Sequence, residues 1–505
     1  MNENSYTPGA GASCIIVIFG ITGDLAQKKI IPAIYNLYCL GLLNEKTHIV
    51  GVGRRQYEAG EYSEYLNASI EAASEKRSFC LVNERTRSEF ISLNSYLPCD
   101  FSRLESYSFI RESLKKIAVD HKICNFLYYL STPPQNFIEI ISNIGASGLS
   151  KPDFLDISCA GSFVRVVIEK PYGNDYNSAR DLNEKILSIF SENQVYRIDH
   201  YLGKETVQNI MVLRFLNNIF EPVWNQKYID NVEIKVYESG GIGKRANYFD
   251  KTGIIRDIIQ NHSLQMLSLL AMEPTISMAP EDVRNEKLKV LSAIRPFDCQ
   301  NPESQIVAGQ YGKGNAAGKP VSSYLDEPGV TPGSRTETFA AIKLFIDNWR
   351  FSGVPFYLVA GKRMPERVAE AVVTFKPVPH LIFRNMCCRK DILPNKLIIR
   401  IQPDEGISLK IFSKTPGFGM DLRPITLGFN YAANNEIMPE PYERLILDAS
   451  NGDSALFMRS DEIEAAWKYI TPITECLKEG RIELKKYKAN GEIPDFKSLV
   501  CSNNQ

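Results

Sequence analysis

Residues 14–43 restrict the possible folds of this chain more than any other segment. The apolar run CIIVIFG ends in a glycine at position 20, and a helix-compatible segment follows from about Asp24 to Leu43. A buried strand, a glycine-containing turn and a helix in this order are typical of a nucleotide site. The spacing is GxxGxx rather than GxGxxG, so a plain strand-to-helix connection explains the segment equally well.

Short apolar runs alternate with helix-compatible segments through the first half of the chain. HIVGVGRR begins at residue 48, and a polar helical region continues to about Glu89. NFLYYLSTPP and FVRVVIEKPYG follow at residues 125–134 and 163–173, each reaching a proline. This alternation predicts a parallel sheet that is covered by helices.

The pattern changes after about Arg197. Long helical patterns, KETVQNIMVLRFL and TGIIRDIIQNHSLQMLSLLAM, occur together with the strand patterns NVEIKVYES, TFAAIKLFI, EAVVTFKP and KLIIRIQP. Strands in succession predict a largely antiparallel sheet. We therefore expect two domains, residues 1–198 and 199–505, and a long ordered excursion over the Gly-, Pro- and Ser-rich residues 309–335.

Composition excludes several classes of protein. The 58 Lys and Arg residues and the 59 Asp and Glu residues give a net charge of −1, which lacks the basic surplus of a nucleic-acid binder. No apolar run approaches the ~20 residues that cross a bilayer. The N-terminus also lacks the basic start and the long apolar stretch of a signal peptide. We therefore expect a cytoplasmic protein with no nucleic-acid or membrane partner.

Cysteine and histidine usage predicts neither a disulfide framework nor a metal site. The 11 cysteines have no repeated spacing, and the adjacent Cys387 and Cys388 are unsuited to a normal bridge. We expect scattered core thiols in a reducing compartment. The five histidines form no HxxxH or HxxEH pattern, so no bound metal is expected.

The turn after the first strand contains small residues that suit a phosphate group. Gly20 would allow a tight turn, while Thr22 and Gly23 would let phosphates approach the amides at the helix start. Asp24 is more typical of a helix cap than of a ligand contact.

The end of the second strand separates the two nicotinamide coenzymes. An acidic residue there usually holds the ribose of NAD, whereas an arginine accommodates the 2′-phosphate of NADP. This strand ends in Arg54 and Arg55 with no acid, and either arginine can pair with a phosphate or simply be solvated. If the first turn binds a dinucleotide, NADP is favoured.

Lys170 ends a predicted parallel strand. Strand carboxyl ends line the ligand crevice of such sheets, so Lys170 would point toward a bound molecule, although a lysine can also snorkel at a strand end. Pro171 restricts Lys170 to extended geometry and permits a cis bond.

The segment QVYRIDHYLGKETVQNIM favours a phosphate site. If a helix begins near His200, then His200 and Lys204 lie at i and i+4 on one face of its first turns. Together with the Tyr201 hydroxyl and the helix N-terminus they would bind a phosphate dianion. An exposed polar helix start is the alternative.

His262 lies on the apolar stripe of a predicted helix, so it faces inward. An inward histidine is often a hydrogen-bonded structural residue. A catalytic role requires a carboxylate that fixes its tautomer and raises its basicity. The candidate carboxylates are Asp199, Asp257 and Glu238, and periodicity does not choose between them.

Four motifs in order resemble glucose-6-phosphate dehydrogenase: GITGDLAQKKIIPAIYNL, EKPYG, RIDHYLGKE and YFDKTGIIRDIIQNHSLQML. The resemblance continues to about residue 480 through GQY, YLDEP, FAAIKLFIDNWRFSGVPFYLVAGKRMPER, RIQPDEG and PYERLILD. It implies an α/β Rossmann-like coenzyme domain and a larger α+β domain whose mostly antiparallel sheet supports a homodimer or homotetramer.

The same resemblance implies roles for individual residues. His262 would be the general base and Asp199 its carboxylate partner. The implied substrate residues are His200, Tyr201, Lys204, Lys362 and Arg367 near the phosphate, Glu238 and Asp257 on the sugar hydroxyls, and Lys170 between substrate and coenzyme. The implied coenzyme residues are Gly20, Thr22, Gly23, Asp24, Leu25, Arg54, Tyr129 and Lys170.

The implied reaction oxidises β-D-glucose 6-phosphate to 6-phosphoglucono-1,5-lactone with NADP, the first step of the oxidative pentose phosphate pathway. One alternative is an NADP-dependent dehydrogenase of an unphosphorylated hexose, which the His200–Lys204 pair disfavours. Another is an NADP-sensing binding protein without catalysis, which the presence of Lys170, Asp199 and His262 disfavours.

One feature departs from some animal members of the family, which have a second, structural NADP site on the strand after the GK motif. Val368 and Val372 occupy two of its basic positions, while Arg400 and Lys410 remain. We therefore expect no second NADP.

Overall fold

Two β-sheets organise the structure, a computed structural model that describes residues 11–74, 83–155, 161–316, 318–380, 382, 393–431, 438–496 and 499. One sheet has seven strands and the other has nine. The first six strands in the described chain belong to the seven-stranded sheet, and the nine-stranded sheet begins with the strand Ile229–Glu238.

Six parallel strands form most of the first sheet. They are β1 Ile15–Phe19, β2 His48–Gly53, β3 Asn94–Pro98, β4 Phe126–Leu130, β5 Val164–Ile168 and β6 Val195–Ile198. Their order across the sheet is 3-2-1-4-5-6, the order of a dinucleotide-binding Rossmann fold. Every residue of β1 and β4 is buried, which explains their unbroken apolar sequences.

Helices connect these strands, as the alternating pattern predicts. They are a π-helix at Ala26–Ile30, α1 Ile31–Cys39, α2 Glu61–Ser74, α3 Glu84–Ser92, α4 Leu104–His121, α5 Phe137–Ala146 and α6 Tyr176–Leu187. The helical segment predicted after the first turn is confirmed, and the predicted polar helical region is two helices, α2 and α3. The sequence analysis did not identify β3 or β6 as strands.

The second sheet is mostly antiparallel, as predicted. Its strands are β7 Ile229–Glu238, β8 Ile306–Gly312, β11 Phe339–Phe345, β12 Pro355–Lys362, β13 Val368–Phe375, β14 Lys396–Gln402, β15 Gly406–Lys414, β16 Leu422–Asn430 and β18 Leu484–Lys488. Only the pairs β7–β12 and β8–β18 are parallel among these described strands. The four strand patterns predicted in this half are confirmed.

The remaining helices lie in the second half of the chain. They are α7 Glu205–Leu216, α8 Ala246–Ile254, a π-helix at Ile255–Ser263, α9 Leu264–Ala271, α10 Pro280–Ser292, α11 Pro441–Asn451 and α12 Ser460–Lys478. The two long predicted helical patterns are therefore helical. The pattern around His262, however, forms a π-helix that continues into α9.

The predicted excursion over residues 309–335 is ordered where the structure describes it. It contains a small hairpin, β9 Gly314–Ala316 and β10 Lys319–Val321. Asp250 on α8 accepts hydrogen bonds from the Tyr324 and Ser334 hydroxyls of this excursion at 2.7 and 2.6 Å. The excursion is therefore attached to α8.

A late segment of the chain returns to the first sheet. The strand β17, Phe457–Met458, pairs antiparallel with β6. Arg165 on β5 donates hydrogen bonds to the carbonyls of Ala449 and Ser450 at 2.8 and 2.7 Å. These contacts couple the two halves of the chain, and no local sequence pattern indicates them.

The cysteines differ in part from the expectation of scattered thiols. Cys299 and Cys476 form a disulfide, which was not predicted because the two residues are 177 positions apart in sequence. Cys14, Cys39 and Cys99 are free, while Cys387 and Cys388 lie outside the described residues. Among the helices that the structure describes, none has the length and hydropathy to span a bilayer.

Candidate active site

A cavity of about 550 Å³ lies where the carboxyl ends of β5 and β6 meet the second half of the chain. It brings together most of the residues that the sequence singles out. Those lining it are Leu25, Lys170, His200, Tyr201, Lys204, Glu238, Asp257, His262 and Arg367.

Asp199 and His262 form the centre of this site. Asp199 directly follows β6, His262 lies in the π-helix Ile255–Ser263, and both are buried. His262 Nδ1 donates to Asp199 Oδ1 at 2.5 Å, and the Tyr201 backbone N–H donates to the same oxygen at 2.9 Å. A proton on Nδ1 leaves Nε2 as the acceptor of the neutral ring. Of the three candidate carboxylates, Asp199 is the one that contacts His262.

Burial and charge set the protonation of this pair. Burial lowers the pKa of His262, Asp199 opposes that effect, and Lys170 adds to it. Burial alone would raise the pKa of Asp199, but His262, His200 and Lys170 together bring that pKa below its usual value. Asp199 raises the pKa of His262, as expected, but burial lowers that pKa by more than Asp199 raises it. At neutral pH the carboxylate is ionised and the imidazole can accept a proton at Nε2.

Lys170 reaches the same ring from the carboxyl end of β5. Its Nζ lies 2.8 Å from His262 Nε2 and donates to the backbone carbonyl of Asp257 at 3.1 Å. The bond between Lys170 and Pro171 is cis. Because its ammonium contacts His262 and the Asp257 carbonyl, Lys170 points into the crevice, as its strand-end position predicts.

One end of the cavity contains two carboxylates among cations. Lys362 pairs with Glu238, and its Nζ lies 3.4 Å from Asp257 Oδ2. Arg245 pairs with Asp257 Oδ1 at 3.1 Å. Burial alone would raise the pKa of Asp257, but Lys170, Lys362 and Arg245 lower it, so the carboxylate is ionised and can accept hydrogen bonds from hydroxyl groups.

Lys362, which is predicted to lie near the phosphate, contacts these two carboxylates in the structure. Its ammonium group is buried and faces Glu238 and Asp257. The GK motif alone could not indicate this contact. Glu238 lies on β7, which is distant in sequence and comes beside Lys362 only because β7 pairs with β12.

Another part of the cavity combines the cations Lys204 and Arg367 with the carboxylates of Glu405 and Glu440. Lys204 Nζ donates to Gln402 Oε1 at 2.8 Å and lies 4.6 Å from the centre of the Tyr201 ring. Arg367 also lines this part, and its charge acts on Lys204. Burial lowers the pKa of Lys204 to about 8, with Glu405 opposing the effect.

The predicted helical spacing of His200 and Lys204 is wrong, since α7 begins only at Glu205. Residues 199–204 form successive turns, in which Leu202 N–H bonds to the Asp199 carbonyl and Lys204 N–H bonds to the Tyr201 carbonyl. These turns nevertheless direct both side chains into one cavity.

Aromatic contacts hold the His200–Tyr201 pair against the central histidine. The Tyr201 ring stacks on the His262 ring with centroids 4.1 Å apart, and the His200 ring meets it edge-on at 4.6 Å. Burial, followed by the charges of His262 and Lys170, lowers the pKa of His200 well below its usual value. His200 is therefore neutral at neutral pH and can still donate one hydrogen bond.

The turn after β1 has the geometry that a dinucleotide phosphate requires. Gly20 has φ of +84°, and a Cβ there would lie 2.8 Å from the Ser131 carbonyl oxygen. Gly23 N–H closes the turn on the Gly20 carbonyl at 2.9 Å, and the Thr22 side chain is exposed. The tight turn therefore requires glycine and leaves a hydroxyl accessible to a ligand.

The neighbouring coenzyme candidates have different environments. Asp24 pairs with Lys28 at 2.7 Å on the surface, and Leu25 lines the cavity. Arg54 is exposed at the end of β2, as a 2′-phosphate ligand must be. Tyr129 is fully buried instead, and its hydroxyl donates to Glu169 at 2.6 Å, so it supports the strand end behind Lys170.

The centre of this cavity also resembles a metal site. Ligand atoms of Asp199, His200 and His262 all lie within 4.8 Å of one another. Asp199 Oδ1 and His262 Nδ1 are, however, already bonded to each other. That bond orients a proton acceptor, so the absence of a metal stays our prediction.

Several cavity residues were not identified from the sequence. They are Lys29, Glu205, Arg245, Ile258, Gln402, Glu405, Met438, Pro439, Glu440, Pro441 and Tyr442. Proximity to the quoted motifs could have indicated seven of them, namely Lys29, Glu205, Ile258, Gln402, Glu405, Pro441 and Tyr442. Residues 438–442 reach the cavity only through the return of the chain before α11, which sequence spacing does not report.

The positions that correspond to a second NADP site lie on β13, β14 and β15. Arg400 pairs with Glu370 at 2.8 Å, and Val368 and Val372 are buried. Lys410 is exposed on β15. The arginine is thus already neutralised, and the absence of a second NADP stays a prediction.

Comparisons with known proteins agree on one family. Residues 17–209 match the family model described as the NAD binding domain of glucose-6-phosphate dehydrogenase, and residues 211–505 match that of its C-terminal domain. The glucose-6-phosphate 1-dehydrogenase of Aggregatibacter actinomycetemcomitans is 41% identical over 471 residues, covering 93% of this chain and 92% of that protein. The Bacillus subtilis protein of the same name is 41% identical over 464 residues, covering 91% of each.

Solved structures agree with this result. A glucose-6-phosphate dehydrogenase in complex with its substrate glucose-6-phosphate has a TM-score of 0.86 and 36% identity, with 98% of each chain covered. The glucose-6-phosphate 1-dehydrogenase of Mycobacterium avium has a TM-score of 0.77 and 32% identity, covering 95% of this chain and 96% of that one.

The protonation of His262 can be measured directly. We expect its pKa to lie below the ordinary 6.5 because of burial, and Asp199→Asn to lower it further because the carboxylate raises it. Ring ¹⁵N chemical shifts of histidine-labelled protein, assigned with His262→Asn, give both values. Asp181→Asn on the exposed face of α6 is the control. A wild-type pKa above 6.5, or no response to Asp199→Asn, would contradict this account.

Proposed function

Since this chain belongs to the glucose-6-phosphate dehydrogenase family, its activity is the oxidation of glucose 6-phosphate at C1, and we propose that the Asp199–His262 pair is its proton acceptor. The activity is the first step of the oxidative pentose phosphate pathway and yields 6-phosphoglucono-1,5-lactone. The observation that carries the proposal is the 2.5 Å hydrogen bond that leaves His262 Nε2 as an acceptor inside the cavity.

His262 removes the proton of the C1 hydroxyl in this mechanism. Asp199 fixes the tautomer and stabilises the imidazolium that forms. Lys170 Nζ lies 2.8 Å from Nε2, so the ammonium must move away from Nε2 for the sugar hydroxyl to reach the proton acceptor. The ammonium of Lys170 then stabilises negative charge that develops on the C1 oxygen.

Two groups of side chains in the cavity orient the sugar. Lys204, Arg367 and Gln402 bind the phosphate together with His200 and Tyr201. Glu238 and Asp257 accept hydrogen bonds from the sugar hydroxyls, and Lys362 holds those carboxylates in place. Lys204 and Arg367 favour a phosphorylated sugar over a free hexose.

NADP is the coenzyme that we propose. When bound, NADP would accept the hydride that leaves C1. Gly20, Thr22, Gly23, Asp24 and Leu25 would form the turn around its phosphates, and Lys170 would separate it from the sugar. Exposed Arg54 would pair with the 2′-phosphate. Tyr129 would support this site through Glu169 rather than through an open contact.

A homodimer or homotetramer is our proposal for the assembly. The strand β16 lies at the edge of the nine-stranded sheet, and Leu427 and Phe429 on it are 52% and 45% exposed. Exposed apolar residues on an edge strand favour association. Sedimentation equilibrium measures the mass, and a monomer at micromolar concentration would contradict the proposal.

We place the reaction in the cytoplasm, because its substrate and coenzyme are both phosphorylated. The disulfide between Cys299 and Cys476 weakens the support from cysteine usage, since a reducing compartment favours thiols. Fractionation of cells with an antibody against the chain tests this location, and recovery outside the cytoplasmic fraction would contradict it.

An absorbance assay at 340 nm with two sugars and two coenzymes tests substrate and coenzyme together. We expect glucose 6-phosphate with NADP to give the highest kcat/KM, because Lys204 and Arg367 line the cavity and the exposed Arg54 follows β2. Preference for free glucose, or for NAD, would contradict the corresponding part of the proposal.

Replacing the proton acceptor should abolish most catalysis. We expect His262→Asn to lower kcat by roughly 10²- to 10⁴-fold, the usual contribution of general-base catalysis, with little change in KM for glucose 6-phosphate. His380→Asn at an exposed position is the control. A kcat within tenfold of wild type would reject the assignment of His262.

Removing one phosphate ligand should act on binding. We expect Lys204→Ala to raise KM for glucose 6-phosphate by about 10- to 100-fold, since a charge-assisted hydrogen bond contributes about 1.5–3 kcal/mol. Lys227→Ala, at an exposed position, is the matched control. If the ratio of activity on glucose 6-phosphate to activity on glucose stays unchanged, Lys204 does not bind the phosphate.

A further inference from the structure

Glu337 is a buried carboxylate outside the machinery described above. It lies two residues before β11 and is 6% exposed. Burial raises its pKa to about 7, although hydrogen bonds and the charge of Arg256 oppose that effect. A carboxylate in this environment is costly to bury, so its contacts need a specific reason.

The contacts of Glu337 are made to the beginning of the helix that carries His262. Its Oε1 accepts from the Ile255 N–H at 3.1 Å, and its backbone carbonyl accepts from the Ile254 N–H at 3.0 Å. Ile255 is the first residue of the π-helix Ile255–Ser263. The first N–H groups of a helix lack partners within it, and a carboxylate there is also favoured by the helix dipole.

The chain makes room for this carboxylate with a glycine. Gly253 has φ of +70° and ψ of 172°, a conformation outside the helical region. A Cβ at Gly253 would lie 2.2 Å from Glu337 Oε1. The close approach therefore depends on glycine, and the carboxylate and Gly253 together define where the π-helix starts.

Glu337 itself is held by the sheet next to the sugar end of the cavity. The adjacent residue, Thr338, donates its N–H to the Gly309 carbonyl and accepts at its own carbonyl from the Lys362 N–H, at 2.8 and 2.9 Å. Lys362 is the residue that pairs with Glu238 and Asp257. One short stretch of chain thus contacts the strand that carries Lys362 and the helix that carries Asp257 and His262.

We propose that Glu337 is a positioning residue, which caps the π-helix from outside and fixes Asp257 and His262 relative to Lys362 and Glu238. The inference rests on the proposed function, because Glu337 would act only through the residues to which that function assigns a role. It assigns no contact between Glu337 and substrate. The acceptor oxygen is what matters in this role, since the Ile255 N–H needs an acceptor and not a negative charge.

Two variants of similar size separate these contributions. Glu337→Gln keeps an oxygen acceptor and removes the charge, while Glu337→Met keeps the volume and removes the acceptor. We expect Glu337→Gln to keep kcat within threefold of wild type. We expect Glu337→Met to lower kcat at least tenfold, while KM for NADP stays within twofold. Loss of general stability would instead leave kcat of the folded fraction unchanged, so active-site titration with bound NADP normalises each kcat.

A kcat within threefold of wild type for Glu337→Met would overturn the proposal, as would equal losses in the Gln and Met variants. If Glu337→Met does not fold, Gly253→Ala tests the same contact by placing a methyl group against the carboxylate. The same tenfold loss with unchanged KM for NADP is then expected, and a smaller loss overturns the proposal. Wild-type protein without activity on glucose 6-phosphate would reject the proposed function instead, so the two failures are distinguishable.

Discussion

The hydrogen bond between Asp199 and His262 connects the first sheet with the helix that contacts the second sheet. Asp199 follows the last parallel strand of the coenzyme sheet, and His262 belongs to a helix that contacts the second sheet. Neither side chain is accessible to solvent, so the carboxylate must be compensated by hydrogen bonds and the imidazole by a fixed tautomer. The position of this bond determines where the proton acceptor meets the crevice at the strand ends.

The positions of the charged side chains around this pair matter more for the chemistry than their number. Lys204 and Arg367 line the cavity near Glu405, while Lys362 and Arg245 pair with the carboxylates of Glu238 and Asp257. Burial lowers the pKa of His262 while nearby cations keep Asp257 ionised. The site therefore offers a neutral acceptor beside ionised carboxylates, which is the combination that general-base removal of a hydroxyl proton requires.

Local sequence pattern predicts the parts of this structure that are determined locally. The apolar runs around Gly20 and before Lys170 are buried strands whose ends line the crevice, because a strand covered on both faces must be apolar throughout. The helical spacing of His200 and Lys204 is wrong because hydrogen bonds to Asp199 close turns over those residues instead. The family resemblance, rather than the residue pattern, singled out Asp199 among three carboxylates.

Other features arise only from contacts between distant segments. Tyr442 reaches the cavity because the chain returns to the first sheet near residue 457, and no periodicity reports such a return. Glu337 looks like an ordinary loop residue in the sequence, and its burial depends on the close approach of Gly253 more than 80 positions away. Contacts of this kind are fixed by tertiary packing, so a single sequence carries no local signal for them.

A crystal structure with glucose 6-phosphate tests the central claim most directly, through the distance between His262 Nε2 and the C1 hydroxyl oxygen. A distance of roughly 2.6–3.2 Å, with the Asp199 hydrogen bond intact, is the result that the account predicts. A C1 hydroxyl that contacts another side chain, with His262 directed away from it, would contradict the account.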